Sequence, residues 1–213
     1  MIIVYWVDVF MVLSNLVFFL PAYEAFRLKR RLRALIYFFM CWASALYHTC
    51  LSFDVCLFDF YYHHLLDFFF AQFIIIVAGS YLIVFDDEYY RFLEYWALAI
   101  GAVGIVVLQI LFPADLMIQA GIVGLVFVGI VAYWIIRAMQ HKSPKYHWNM
   151  FTTGLALTAG SITLFIFQNS WYQLYWLIHS VWHIAAAFGQ YYLLKIKEAP
   201  PVGYYVPAAK RVR

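Results

Sequence analysis

Two pairs of polar residues and one carboxylate stand out in a sequence otherwise dominated by apolar runs. Ser44 and His48 lie four apart, as do His179 and His183, and Asp67 follows His63-His64-Leu65-Leu66. On a helix, a spacing of four places both members of a pair on one face. Three neutral imidazoles leaving one position open make a zinc site, and such an open position usually holds water. A nearby carboxylate orients or deprotonates that water, which makes Asp67 the candidate base. Ser44 is then a supporting or oxyanion-side hydroxyl. The plainer reading is that these are separate polar residues bonding across a helix bundle. A set of three histidines and an aspartate at matched depth favours the metal.

The elements that must position these residues are legible from the hydrophobic runs. The chain has 213 residues, 67% hydrophobic, 22% aromatic and 12% charged. Soluble domains carry about 25% charged residues, and a fold of this size cannot hide so much apolar surface from water. Lipid must therefore be the solvent for most side chains. A spanning helix needs roughly 20 apolar residues. Seven segments meet this: 2–23, 34–52, 62–85, 92–112, 116–136, 149–168 and 171–194. The breaks fall at the basic run Arg27 to Arg33, at Asp54 and Asp59, at Asp86-Asp87-Glu88, at Pro113 and Asp115, at His141 to His147, and at Gln168-Asn169-Ser170. We therefore expect an all-α integral membrane protein, a seven-helix bundle over 1–194, followed by a basic tail over 195–213. The first segment has no basic leader and carries Asp8, so it reads as a retained helix, not a cleaved signal.

All 14 Lys and Arg fall in or beside the first, third and fifth loops and the tail. The positive-inside rule then puts the N-terminus outside and the C-terminus in the cytoplasm. The basic patches favour anionic inner-leaflet lipids. With this orientation His48 sits near the outer end of the second segment and Asp67 about one and a half turns into the third. At 1.5 Å per residue, His179 lies roughly 12 Å below the start of the seventh. All fall in the outer half of the membrane, so they can converge.

The set Ser44-x-x-x-His48, Asp67 and His179-x-x-x-His183 on the second, third and seventh helices resembles the CREST superfamily. That group includes alkaline ceramidases, adiponectin-receptor-like proteins and the transmembrane protein 8 family. The resemblance implies seven helices, His48, His179 and His183 as zinc ligands, Asp67 contacting the bound water, and Ser44 behind them. Within that group the chain is most similar to the myomaker branch of the transmembrane protein 8 family. The stretches that carry this are Leu13 to Leu16, Phe19-Leu20-Pro21, Lys29-Arg30-Arg31, Ala45 to Cys50, Phe85 to Glu88 and Ile178 to His183. Two departures are plain. The tail has no cysteine, where vertebrate members of the branch have a cysteine-rich end suited to palmitoylation, and Asp67 stands where they have glutamate.

The resemblance implies a plasma-membrane protein (with a Golgi pool as an alternative) that promotes cell–cell fusion of myoblasts. Membrane lipids, a second copy of the chain and a partner fusion protein are the implied partners; no nucleic acid is expected. In that case the zinc is mainly structural. The alternative is a zinc-dependent lipid hydrolase, ceramidase- or phospholipase-like, with Asp67 as base. A receptor is disfavoured, because nothing supplies an ectodomain or a signalling domain.

Other residues carry less. Cys50 and Cys56 both fall on the outer side, where oxidation is allowed; they either pair across the second loop or stay free. Cys41, mid-helix, reads as packing. His63 and His64 are extra ligands or, as preferred here, interfacial residues. Phe68, Phe69 and Phe70 read as lipid-facing. Gly101, Gly104, Gly121, Gly124 and Gly129 permit close helix packing.

Overall fold

In a computed structural model of the chain, residues 2–82, 88–113, 115–140 and 147–196 are described. Asp86, Asp87, His141, Lys142, Pro144, Lys145 and the tail from Lys197 lie outside them. The described residues are helical throughout, with short connections and no strand.

The elements are α1 (Ile2–Ser14), a 3-10 turn (Asn15–Phe18), α2 (Phe19–Arg27), α3 (Arg31–Phe53), α4 (Phe60–Leu82), α5 (Glu88–Leu111), α6 (Leu116–Met139), α7 (Trp148–Phe167), a second 3-10 stretch (Gln168–Leu174) and α8 (Tyr175–Leu194). Counting α1, its turn and α2 as one rod, seven long helical rods appear among the described residues. They coincide closely with the seven apolar segments.

The first rod is interrupted where Pro21 follows. Proline lacks the N–H for an i→i−4 bond, and its ring crowds the carbonyl of Val17. The turn before it tightens accordingly. The connection between α7 and α8 is a seven-residue 3-10 stretch, longer than the expected tight turn. It bends at Trp171, whose φ and ψ are −121° and 63°.

Among the described residues, four stretches are long and apolar enough to cross a membrane: Trp6–Arg27, Arg31–Phe53, Phe60–Leu82 and Trp148–Leu194. The last has 47 residues and contains both α7 and α8. Many large apolar side chains face outward, among them Trp6, Trp42, Ile100 and Leu125. A surface of this kind suits lipid, because contiguous exposed apolar patches are rare on soluble monomers.

The core gathers around α3, α4 and α8. Helix α8 packs on α7, on both halves of the first rod and on α4, while α3 packs on the first rod and on α4. The α7–α8 contact is the closest. A Cβ added at Gly154 would lie 2.9 Å from the Leu193 backbone nitrogen, and one at Gly189 would lie 2.6 Å from Thr158 Oγ1. Small residues allow such approach. Of the glycines singled out by sequence, Gly101 touches Ile76, whereas Gly104, Gly121, Gly124 and Gly129 face open space.

The ordered body continues two residues past α8. Ile196 is fully buried, and its carbonyl accepts the His147 N–H at 3.1 Å. Phe68, Phe69 and Phe70 are half-buried against the core rather than turned out to lipid. Phe68 lies beside Phe165, and Phe70 stacks on Phe39.

Candidate metal centre

Three helix ends meet around the site. His48 is five residues from the end of α3, Asp67 seven residues into α4, and His179 four residues into α8. At 1.5 Å per residue, His179 is roughly 6 Å along α8, and the 3-10 stretch stands before it. The antiparallel run of α3 against α4 brings all of these to one end of the bundle.

His48, His179 and His183 form one cluster. Each offers a ring nitrogen, and these nitrogens lie within 4.8 Å of one another. The ring centroids are 4.6 to 5.2 Å apart, and all three side chains are buried. The closest pair is His48 Nε2 and His179 Nε2, at 2.9 Å.

The far nitrogens of two rings are held by partners that fix their protons. Ser14 Oγ donates its only hydrogen to the Met11 carbonyl at 2.7 Å. It can therefore only accept from His183, whose Nδ1 lies 2.8 Å away. His179 Nδ1 lies 2.5 Å from Gln168 Oε1, an acceptor, so it carries the proton there as well. Both rings then present Nε2 as a bare lone pair. His183 Nε2 is buried with no hydrogen-bond partner. Without an ion, His48 Nε2 can donate to His179 Nε2 at 2.9 Å, whereas His183 Nε2 is left with no donor; a cation between the rings would engage all three. A histidine held at one nitrogen and free at the other is the usual arrangement of a metal ligand. The donor set thus fits a metal ion.

Asp67 does not join the ligand atoms. It is 3% exposed and lies beside Ser44, with Tyr47 and Tyr175 as electrostatic neighbours. Ser44 faces it at the margin of hydrogen-bond geometry. By strict geometry, Ser44 Oγ and Asp67 Oδ1 both lack a partner. Ser44 lies one turn before His48 on α3, so the Ser44–Asp67 pair sits just behind the histidines.

The two neighbouring histidines are elsewhere. His63 is buried within the protein, outside the histidine cluster, and its Nε2 accepts the N–H groups of Leu57 and Phe58 at 3.2 and 3.1 Å. It thereby anchors the α3–α4 loop. That loop is also closed by a Cys50–Cys56 disulfide, which settles the open choice between pairing and free thiols. His64 packs on Phe68 and Tyr47, away from the cluster. Cys41 is a buried free thiol, as expected.

The residues that sequence reading missed are the supports. Ser14 stood only within the Leu13 to Leu16 stretch and Gln168 in a break between segments. Each turns out to orient a histidine.

An all-helical chain with membrane-length apolar helices and a buried three-histidine centre at one end of the bundle defines the class: a helical membrane protein with a candidate metal site. The chain belongs to the family described as "Protein of unknown function (DUF3522)", whose family model matches residues 4–184. No curated protein matches it.

Proposed function

We propose that the chain is a seven-span membrane protein with its N-terminus outside. His48, His179 and His183 hold a zinc ion in the outer half of the membrane, and the protein promotes fusion between cell membranes. The observation that carries the metal is the fixed proton at Nδ1 of His179 and His183, which turns both Nε2 atoms as acceptors toward His48 and leaves that of His183 buried without a partner. A three-imidazole set suits zinc. The even-loop absence of Lys and Arg supports the orientation. Fusion rests on the resemblance to the myomaker branch. In this reading the metal ties α3 to α8 and fixes the bundle's outer end. Membrane lipids, a second copy of the chain and a partner fusion protein are the proposed partners, at the plasma membrane.

A second reading is favoured by one observation: the buried carboxylate of Asp67, with Ser44 as its polar neighbour one turn before His48 on α3, keeps Oδ1 without a well-formed hydrogen bond. Unsatisfied buried polar atoms are rare and call for a role. In a lipid hydrolase, zinc supplies Lewis-acid polarisation of the carbonyl and lowers the pKa of bound water. Asp67 would hold the proton taken from the nucleophile, and Ser44 would steady the carboxylate.

Asp67→Asn separates the two. Zinc content by elemental mass spectrometry, turnover of ester- and amide-linked lipids, and mixing of cells expressing the variant are measured together. Retained zinc with retained fusion supports the structural metal. Retained zinc with lost turnover supports the hydrolase. A well-folded wild type without zinc overturns both.

A further inference from the structure

At the opposite end of the bundle from the histidines, the turn joining α2 to α3 opens into a second, quite different cavity. It has a volume of about 210 Å³ and is lined by Lys29, Arg30, Arg31, Leu32, Arg33, Tyr95 and Leu98. Among the described residues, four of the seven that line it are basic and none is acidic. Glu24, on α2, pairs with Arg27 and does not line the cavity.

The backbone here keeps a charged residue at a strained position. Lys29 has φ 58°, in the left-handed region. Its N–H bonds to the Phe26 carbonyl at 2.9 Å, and the Arg30 N–H reaches back to Ala25 at 2.8 Å. That pair of bonds is a Schellman turn, in which the left-handed residue is usually glycine. A side chain at this position is costly, and such strain tends to persist where it serves a site.

The wall is rigid. Arg33 is buried, and its guanidinium lies 4.4 Å from the centre of the Tyr81 ring and 3.4 Å from Ser80 Oγ. The Tyr81 hydroxyl donates to the Leu194 carbonyl at 2.9 Å, which fixes that ring against the end of α8. Arginine suits bidentate recognition of phosphate, and Arg31, with Lys29, is exposed at the rim above this wall.

We infer that this cavity binds a phosphate group carried by an anion at the membrane surface, with a phosphomonoester lipid headgroup as the fitting source and free phosphate as the other. Its volume is about that of seven liquid waters. It is below the range of about 300–1,000 Å³ that takes drug-sized ligands. A headgroup fits, whereas the acyl chains must lie outside, along the apolar helix surfaces. Basic pockets at helix ends bind anionic headgroups in this manner. The inference stands apart from the metal centre and from the fusion reading; only the leaflet depends on the proposed orientation.

The test uses the purified full chain in detergent, titrated with dioctanoyl phosphatidic acid, dioctanoyl phosphatidylglycerol and inorganic phosphate by calorimetry. Phosphatidic acid is expected to bind more tightly than phosphatidylglycerol. Lys29→Gly should weaken that binding about fivefold while raising Tm, because it removes one charge and the backbone strain together. A merely structural lysine would not give these opposite signs. Lys29→Gln/Arg30→Gln/Arg31→Gln should abolish binding, with Arg33 left in place to preserve the wall. Competition by inorganic phosphate at equal concentration assigns the site to free phosphate; failure to compete assigns it to the lipid. Unchanged binding in the triple variant overturns the inference. So does equal binding of the two lipids, which would mean charge attraction alone. If only Asp86→Asn/Asp87→Asn binds, the chain's own acidic segment fills the cavity, and the inference fails.

Discussion

Ser14 and His183, 169 residues apart, meet at 2.8 Å, with the serine hydroxyl already committed to the Met11 carbonyl. This contact joins the first rod to the last and sets which imidazole nitrogen is free. A hydroxyl that can only accept makes the histidine a donor at Nδ1. The ligand-ready nitrogen is therefore determined by a residue that is not a ligand.

Ser14→Ala should leave the His183 Nδ1–H buried without an acceptor. Removing one partner of a buried bond costs about 1–3 kcal/mol, and losing the support of a metal ligand lowers affinity about 10- to 100-fold. Chelator competition on the purified protein reads the affinity, and thermal unfolding reads the stability. Equal zinc affinity in the variant would show that Ser14 is only packing.

Gln168→Leu should act on His179 in the same way, since it removes the oxygen 2.5 Å from Nδ1. Gln168→Glu keeps an acceptor there, so zinc affinity should be retained or increased. The pair is informative together: loss with Leu and retention with Glu identifies acceptor chemistry rather than side-chain volume.

His63→Leu should free the N–H groups of Leu57 and Phe58, now bound at 3.2 and 3.1 Å. Two orphaned amides cost on the order of 1–3 kcal/mol each if they stay buried, and less if water reaches them. Hydrogen exchange over residues 54–59 should accelerate while metal content stays at the wild-type level. A fall in zinc would instead place His63 among the ligands.

Gly189→Ala should separate α7 from α8, because the new Cβ would lie 2.6 Å from Thr158 Oγ1 and 3.0 Å from its backbone nitrogen. Overpacking of this kind costs about 1–3 kcal/mol. Tm should fall, and zinc affinity should fall with it, since α8 carries two of the three candidate ligands. Pairing the change with Thr158→Ala, which removes the closest atom, should recover part of both.

The seven rods were legible because lipid imposes a simple rule of length and polarity on every segment. The His179/His183 pair was legible because a spacing of four has only one geometric meaning on a helix. Ser14 and Gln168 were not, because a single neutral polar residue in an apolar run has no period that names its partner. Nor could spacing show that His63 anchors the neighbouring loop. Its burial depends on that loop folding back across the Cys50–Cys56 bridge, a long-range event that spacing does not encode. The packing of Phe68, Phe69 and Phe70 against the core was hidden for a related reason. In a chain apolar on every face, hydrophobicity no longer separates inside from outside.

The distance in sequence between His48 and His179 has a consequence for biosynthesis. One donor emerges early from the ribosome, and the other two belong to the final helix. A chain stalled or cleaved before α8 therefore has only one imidazole of the set and cannot retain the ion. On the proposed reading, loading of a metal ion would therefore require that synthesis and insertion have already passed through α8.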